Sequence, residues 1–406
     1  MKQVVLIATM DTKAKEARFL RSAMEKHGLQ VTLVDTGILK KSPEDADITQ
    51  EQVLGEYAQA VKSVSTRSEA SVYMTKGLRT LIGRLYAQGR LDAVASLGGS
   101  GGTALASAAM HELPLGVPKV IVSTMASGNT LPYVQGEDIL LINPVVDIQN
   151  LNFLTCHALE QAAGMIASMM ETPLIREKKK PAVAISGFGV TTPCVDACVE
   201  QLEAAGYEVL VFHARGVSGG RIMEKMIAEG HFAGVLDLTT SEIADEVSGG
   251  IYAVGEKRLS TAARMNIPYV VTTGALEMIN FGAEETLTDA QLKRVLYRHS
   301  PSSVKMRANV QELERAARLF ADRLALSRGN ACVMIAGKGW SSVNREGQAF
   351  YDPQADEAFV RALKEAAPDH VPVTVLDMHH NDAAFAKACA DTLLMLMRRA
   401  SVSSGI

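Results

Sequence analysis

The sequence predicts an α/β protein of two Rossmann-like, doubly wound parallel-sheet domains with a ligand cleft at the carboxyl ends of the strands. Three observations lead there. Val- and Ile-rich apolar runs alternate with segments of helical period, as expected of strands covered on both faces by helices. The pattern repeats, because Gly28 and Asp35 are as far apart as Gly206 and His213, and each pair brackets the second strand of a βαβ unit. A chain of 406 residues also exceeds one ordinary core.

Val4 to Thr9 reads as a buried strand. A helix follows from about Lys13 to His27, with Ala17, Leu20 and Met24 on one face, and Gly28 ends it before the strand Val31 to Asp35. Asp92 to Leu97 is the next clear strand, then Pro118 to Thr124, and the long apolar helix Phe153 to Met170 closes the half. The second half repeats this order. Val183 to Ser186 leads through Gly187-Phe188-Gly189 into a helix from Pro193 to Ala205, and Glu208 to His213 follows. Gly234 to Leu238 matches Asp92 to Leu97, and Pro268 to Thr273 matches Pro118 to Thr124. Val304 to Leu326 reads as one amphipathic helix suited to a domain or subunit contact, Val333 to Ala336 and Val373 to Leu376 as strands, and Ala383 to Arg399 as the closing helix. Between the halves runs Arg176-Glu177-Lys178-Lys179-Lys180-Pro181, a charged linker, so the domains are expected at 1–178 and 179–406.

A formal charge of −4 leaves no basic excess and argues against a nucleic-acid partner. The five cysteines show no CxxC spacing and read as core residues of a reducing compartment. No run of 18 consecutive apolar residues occurs. A cytoplasmic homo-oligomer that binds neither membrane nor nucleic acid is the expectation.

Chemistry concentrates first at Gly98-Gly99-Ser100-Gly101-Gly102-Thr103, between an apolar strand and an Ala-rich helix. Glycines let consecutive N–H groups turn toward one point, and the helix start adds partial positive charge, so a phosphate or carboxylate is the expected guest. An unliganded tight turn is the plain alternative. The loop lacks the Lys and hydroxyl that end a Walker A motif. Its Gly99-to-Ala104 segment satisfies GxGxxA, but it follows a middle strand, and Thr124 stands where a nicotinamide site would have an acid. In the same crevice are expected Thr9, Asp11 and Thr12, with Lys13 placed to reach an anion. Asp35 and Thr36 end the second strand where a ribose-binding acid usually lies, and Ser123 and Thr124 end the fourth. Asp35 reads equally as a turn former and Lys13 as an exposed helix-start lysine.

In the second half, Asp377-Met378-His379-His380-Asn381-Asp382 follows a strand and offers groups that exchange protons. Asn381 or Asp382 could equally be a helix cap. Gly337-Lys338-Gly339-Trp340-Ser341 is a second polar strand end. Glu277 is a candidate acid within Gly274 to Gly282, and Arg215 a candidate carboxylate holder.

Ala8-Thr9-Met10-Asp11-Thr12-Lys13, the Gly98–Thr103 loop, Gly274 to Gly282 and His379 to Asp382 together resemble the Tm-1-like ATP-binding family over essentially the whole chain. The resemblance implies two Rossmann-like domains and an ATP site in the first, on Thr9, Asp11, Lys13, Asp35, Thr36 and the glycine loop. Where the family pattern reads His-Ile-Asn-Asp, this chain has His379-His380-Asn381-Asp382. Three readings stay open. One is a protein that binds ATP with accompanying Mg²⁺. Another is a metabolic enzyme acting on a small carboxylated or phosphorylated substrate in the interdomain cleft, with His379, His380, Asp382 or Glu277 as acid–base groups. The third is a regulatory protein ordered by nucleotide.

Overall fold

The computed structural model describes residues 2–38, 41–172, 180–216 and 219–404, with side chains described through residue 400. The chain divides into two compact units, Met1–Arg176 and Glu177–Ile406. The boundary expected near residue 178, with most of the Arg176–Pro181 run, lies outside the described residues.

The first unit holds strands β1 (Gln3–Ala8), β2 (Gln30–Asp35), β3 (Ala93–Gly98), β4 (Lys119–Ser123) and β5 (Ile139–Ile142), all parallel in the order β2-β1-β3-β4-β5. Successive side chains of β1 go to opposite faces, and both faces are covered. Val4, Leu6 and Ala8 join Ala17, Leu20 and Met24 of the Met10–Lys26 helix and Leu159 and Ile166 of the Phe153–Glu171 helix. Val5 and Ile7 join Met74 and Leu78 of the Arg67–Ala87 helix and Ala106 and Met110 of the Ser100–Met110 helix. Two-sided burial is why these strands read as unbroken apolar runs.

The second unit begins with β6 (Ala182–Gly187), β7 (Glu208–His213), β8 (Gly234–Asp237) and β9 (Tyr269–Thr272). Next come β10 (Met278–Phe281), β11 (Leu296–Ser300) and β12 (Ser303–Arg307), which pair antiparallel in a sheet of their own, β10-β12-β11. Finally β13 (Ala331–Ala336) and β14 (Val373–Leu376) complete the parallel sheet β14-β13-β9-β8-β6-β7. The single helix expected over Val304 to Leu326 is thus corrected. Its first four residues belong to β12, and the helix is Val310–Leu324. A capping box sets the break, with Asn309 Oδ1 accepting the Glu312 N–H at 2.9 Å and Glu312 Oε2 accepting the Asn309 N–H at 2.7 Å.

The two parallel sheets share a register. Ala8 pairs with Asp35 as Gly187 pairs with His213. Leu6 pairs with Ala95 as Ile185 pairs with Leu236, so Gly98-Gly99-Ser100 of the first unit corresponds to Thr239-Thr240-Ser241 of the second.

Candidate functional site

In the first unit the chain leaves β1 toward β2 and returns on the other side of β1 as β3, which makes the carboxyl ends of β1 and β3 the topological switch point. Open parallel sheets bind ligands there. Gly98 ends β3 at φ +155°, a conformation L side chains rarely adopt, and a Cβ there would come within 3.4 Å of Gly102 Cα. Gly99 is the extended N-cap of the Ser100–Met110 helix and supplies no side-chain cap. The N–H groups of Gly99, Ser100, Gly101 and Gly102 meet no acceptor among the described residues, and the helix's first bond is Thr103 N–H to Gly99 O at 2.9 Å. Nothing blocks the loop. Ser100 and Gly101 are exposed, a Cβ on Gly101 would meet no atom within 4 Å, and one on Gly99 only Thr124 Oγ1 at 3.7 Å.

Around the loop the expected residues divide into two groups. Lys13 departs from helical geometry, with φ −125° and ψ 21°, and its amine bonds to no described residue. Thr9 and Thr12 bring their hydroxyls within 3.2 Å of each other at the same helix start. The remaining residues fasten the loops. Asp35 is fully buried; its Oδ1 accepts the N–H groups of Met10 (2.9 Å) and Gly37 (2.7 Å), and its Oδ2 accepts the Ser42 hydroxyl (2.6 Å). Both oxygens are therefore occupied, and the place expected for a ribose acid is a knot between two loops. Asp11 Oδ2 accepts the Ile38 N–H at 3.0 Å, and Thr36 is buried with its N–H on Ala8 O. Thr103 and Ser123 are buried, with their hydroxyls 2.6 Å apart.

At the corresponding place in the second unit, Thr239, Thr240 and Ser241 are fully buried, and a charged cluster lies behind them. Arg258, itself fully buried, reaches both oxygens of Asp237 and the carboxylate of Glu242, and Glu224 lies 3.5 Å from it. Ser186 and Tyr269 also donate to Asp237. Three carboxyls face one guanidinium, and burial pushes Glu224 up to about 7. Sequence reasoning missed Arg258, because a lone arginine in a polar stretch carries no mark of burial.

The acid–base candidates of this unit lie in loops that lock together. His379 Nδ1 accepts the Asn381 N–H at 3.1 Å, so its proton is on Nε2, which donates to Ser341 O at 3.0 Å. Asp382 Oδ2 accepts the His379 N–H at 2.8 Å, a turn-capping role. Glu277 is fully buried; Oε1 accepts the Ser341 hydroxyl, Oε2 has no partner, and burial pushes the carboxyl up to about 7. His380 is fully buried between Gly274 and Phe385 with both ring nitrogens unpartnered, and burial pulls it down to about 3, so it stays neutral. Beside these loops a groove of about 1120 Å³ runs past Lys338, Trp340, Arg345, Asp377 and His379, with Lys338 ion-paired to Asp377 at 2.9 Å. The groove does not touch Glu277 or His380.

Comparison with known proteins places both units in one family. Residues 2–174 match the N-terminal domain, and residues 180–397 the C-terminal domain, of Uncharacterised protein family (UPF0261). The chain belongs to this family. A UPF0261 protein of Clostridium tetani is 38% identical over 403 residues, covering 98% of this chain and 100% of that protein. The tomato (Solanum lycopersicum) ToMV susceptible protein tm-1(GCR26) is 37% identical over 418 residues, covering 97% of this chain and 55% of that protein, which bears out the Tm-1-like resemblance. A solved structure described as an S. aureus MnaA-UDP co-structure is 11% identical, with a TM-score of 0.24 over 67% of this chain and 79% of that one. That superposition contributes nothing to the reading of the site. Among the described residues of this UPF0261 chain, no helix is long and apolar enough to cross a membrane.

Proposed function

We propose that the first unit binds the phosphates of a nucleotide, ATP in the first instance, on the N–H groups of Gly99, Ser100, Gly101 and Gly102. Lys13 supplies the neighbouring positive charge, and Mg²⁺ accompanies the triphosphate. The supporting observation is the set of unused, exposed amides at the start of an 11-residue helix, at the switch point of the sheet. The second unit provides the contrast. It has the same register, but buried Thr239, Thr240, Glu242 and Ile243 take the places of Gly98, Gly99, Gly101 and Gly102. Asp35 takes no part in this reading beyond holding the loops, and no catalytic step is assigned.

Isothermal titration of the full chain with ATP and Mg²⁺ tests the proposal. Gly101→Glu puts a negative charge into open space beside the amides, and Lys13→Met removes the cation. Each is expected to weaken ATP at least tenfold without lowering the melting temperature. Affinity unchanged in Gly101→Glu, or no binding by the parent chain, overturns the reading.

A further inference from the structure

Lys305 stands on β12 directly opposite Asn280 of β10 and is only 4% exposed. An ammonium has three N–H groups to satisfy, yet the acceptor found for it is Ser303 Oγ at 3.2 Å. Otherwise it faces aromatic rings, 4.9 Å from the centroid of Phe188 and 5.4 Å from that of Tyr252. Arg215, in the loop after β7, places its guanidinium carbon 5.3 Å from the same Tyr252 ring, and no described side chain or carbonyl accepts from it. His213 stacks on the other ring, with its centroid 5.2 Å from that of Phe188 at 21°. Two rings are thus bordered by three basic side chains from two parts of the chain, the end of β7 and β12.

Their counter-charge is incomplete. The carboxylate that acts on Lys305 is Asp245, but it is no ion-pair partner of the lysine, and its oxygens take the Asn280 N–H (2.5 Å) and the Asn280 Nδ2 (2.8 Å). Burial lowers His213, and Arg215 and Lys305 act on it in the same direction. Burial also pulls Lys305 down to about 8, with Arg215 adding to the effect and Asp245 opposing it. A ring face attracts a cation, but far less than a counter-ion does. The loops are also held before any ligand arrives. A Cβ on Gly216 would lie 2.2 Å from Tyr252 O, and the Gly216 N–H bonds to Glu242, so Arg215 and Tyr252 are set at a fixed spacing. Such preorganisation lowers the cost of binding.

We propose that Lys305, Arg215 and His213 form the anion end of a small-molecule site in the second unit. A carboxylate or phosphate group lies between the Lys305 ammonium and the Arg215 guanidinium, with the ligand's carbon skeleton over Phe188 and Tyr252. This site is independent of the glycine loop and of the nucleotide proposed there.

Titration calorimetry of the full chain with malonate and with inorganic phosphate, each at constant ionic strength set by sodium chloride, provides the test. The two probes decide between carboxylate and phosphate. At least one is expected to bind with a dissociation constant in the millimolar range or below, and to weaken at least tenfold in Arg215→Gln and in Lys305→Met while keeping its affinity in Gly101→Glu. Arg215 is exposed, so that variant decides the matter even if Lys305→Met misfolds. Equal affinity in Arg215→Gln, absence of binding by both probes, or loss of binding in Gly101→Glu alone overturns the proposal. The last result would also place the anion on the glycine loop.

Discussion

Asp35 and His213 hold one position in two sheets, each ending the second strand opposite the last residue of the first strand, Ala8 in one unit and Gly187 in the other. Asp35 turns inward and ties together the loops that flank an open glycine turn. His213 turns outward onto Phe188 and borders a cluster of cations. One position in the architecture thus holds a loop knot in the first unit and an aromatic, basic cluster in the second.

Because Asp35 holds two main-chain N–H groups and the Ser42 hydroxyl in a fully buried place, Asp35→Ala strands donors that water cannot reach. Each buried unmet donor costs about 1–3 kcal/mol and the half-buried Ser42 hydroxyl can turn to water, so the two main-chain N–H groups imply a loss of about 2–6 kcal/mol. Asp35→Asn keeps one accepting oxygen and should lose about half as much. Urea denaturation reads the loss, and hydrogen exchange should quicken at Met10 and Gly37. An Asp35→Ala protein of parental stability with weakened ATP binding would return Asp35 to the role of ligand contact.

The glycines of the loop differ in what they do. Gly98→Ala forces a side chain onto φ +155° and against Gly102, and is expected to cost about 1–3 kcal/mol. Gly101→Ala meets open space at a helical position and should change stability by about 1 kcal/mol or less, in the stabilising direction. Because that variant keeps its N–H, ATP affinity should stay within about threefold. Paired thermal melts and ATP titrations check both, and equal melting losses in the two variants would contradict the distinction.

What the sequence made legible was the part written in period and punctuation. Both parallel sheets, the repeat of Gly28–Asp35 in Gly206–His213 and the exposed glycine loop follow from alternation and from Cβ-free positions. The three-stranded antiparallel sheet did not show, because Leu296-Tyr297-Arg298-His299-Ser300 is half polar and Val304 to Arg307 runs in phase with the helix after it. Among site residues, the backbone donors could be read, since any residue type supplies an N–H. Side-chain roles could not. Whether Asp35 faces a ligand or a loop, and whether His380 and Arg258 are solvated or sealed, depends on packing between segments far apart in the chain.

Arg258 is the cation that faces three buried carboxyls, Asp237, Glu242 and Glu224. Removing one partner of such a cluster leaves charges that the interior cannot solvate, at about 3–5 kcal/mol. Arg258→Met is therefore expected to destabilise the protein by that amount or prevent folding. Glu224→Gln removes a carboxyl that already favours the protonated form and should be tolerated within about 1 kcal/mol at pH 6. Comparing soluble yield and urea midpoints of the two variants tests this. The cluster would lose its structural role if Arg258→Met proved as stable as the parent.

Glu277 makes stability depend on pH in a direction opposite to that of an ordinary ion-paired acid. Its folded carboxyl titrates near 7 because burial penalises the charge, whereas the unfolded chain releases that proton near the usual 4.5. Between those values the folded state binds more protons than the unfolded one. Stability from this group is therefore intact below about pH 4.5, falls as pH rises, and levels off above about 7. The swing is on the order of 3 kcal/mol. Gln matches the shape of the protonated acid, can still accept the Ser341 hydroxyl and does not titrate, so Glu277→Gln should lack this component. Urea midpoints at pH 5 and pH 8 should show the variant gaining on the parent at the higher pH. A difference between the two proteins that stays constant across this range would mean that Glu277 is ionised in the fold, with its unpartnered oxygen solvated by buried water.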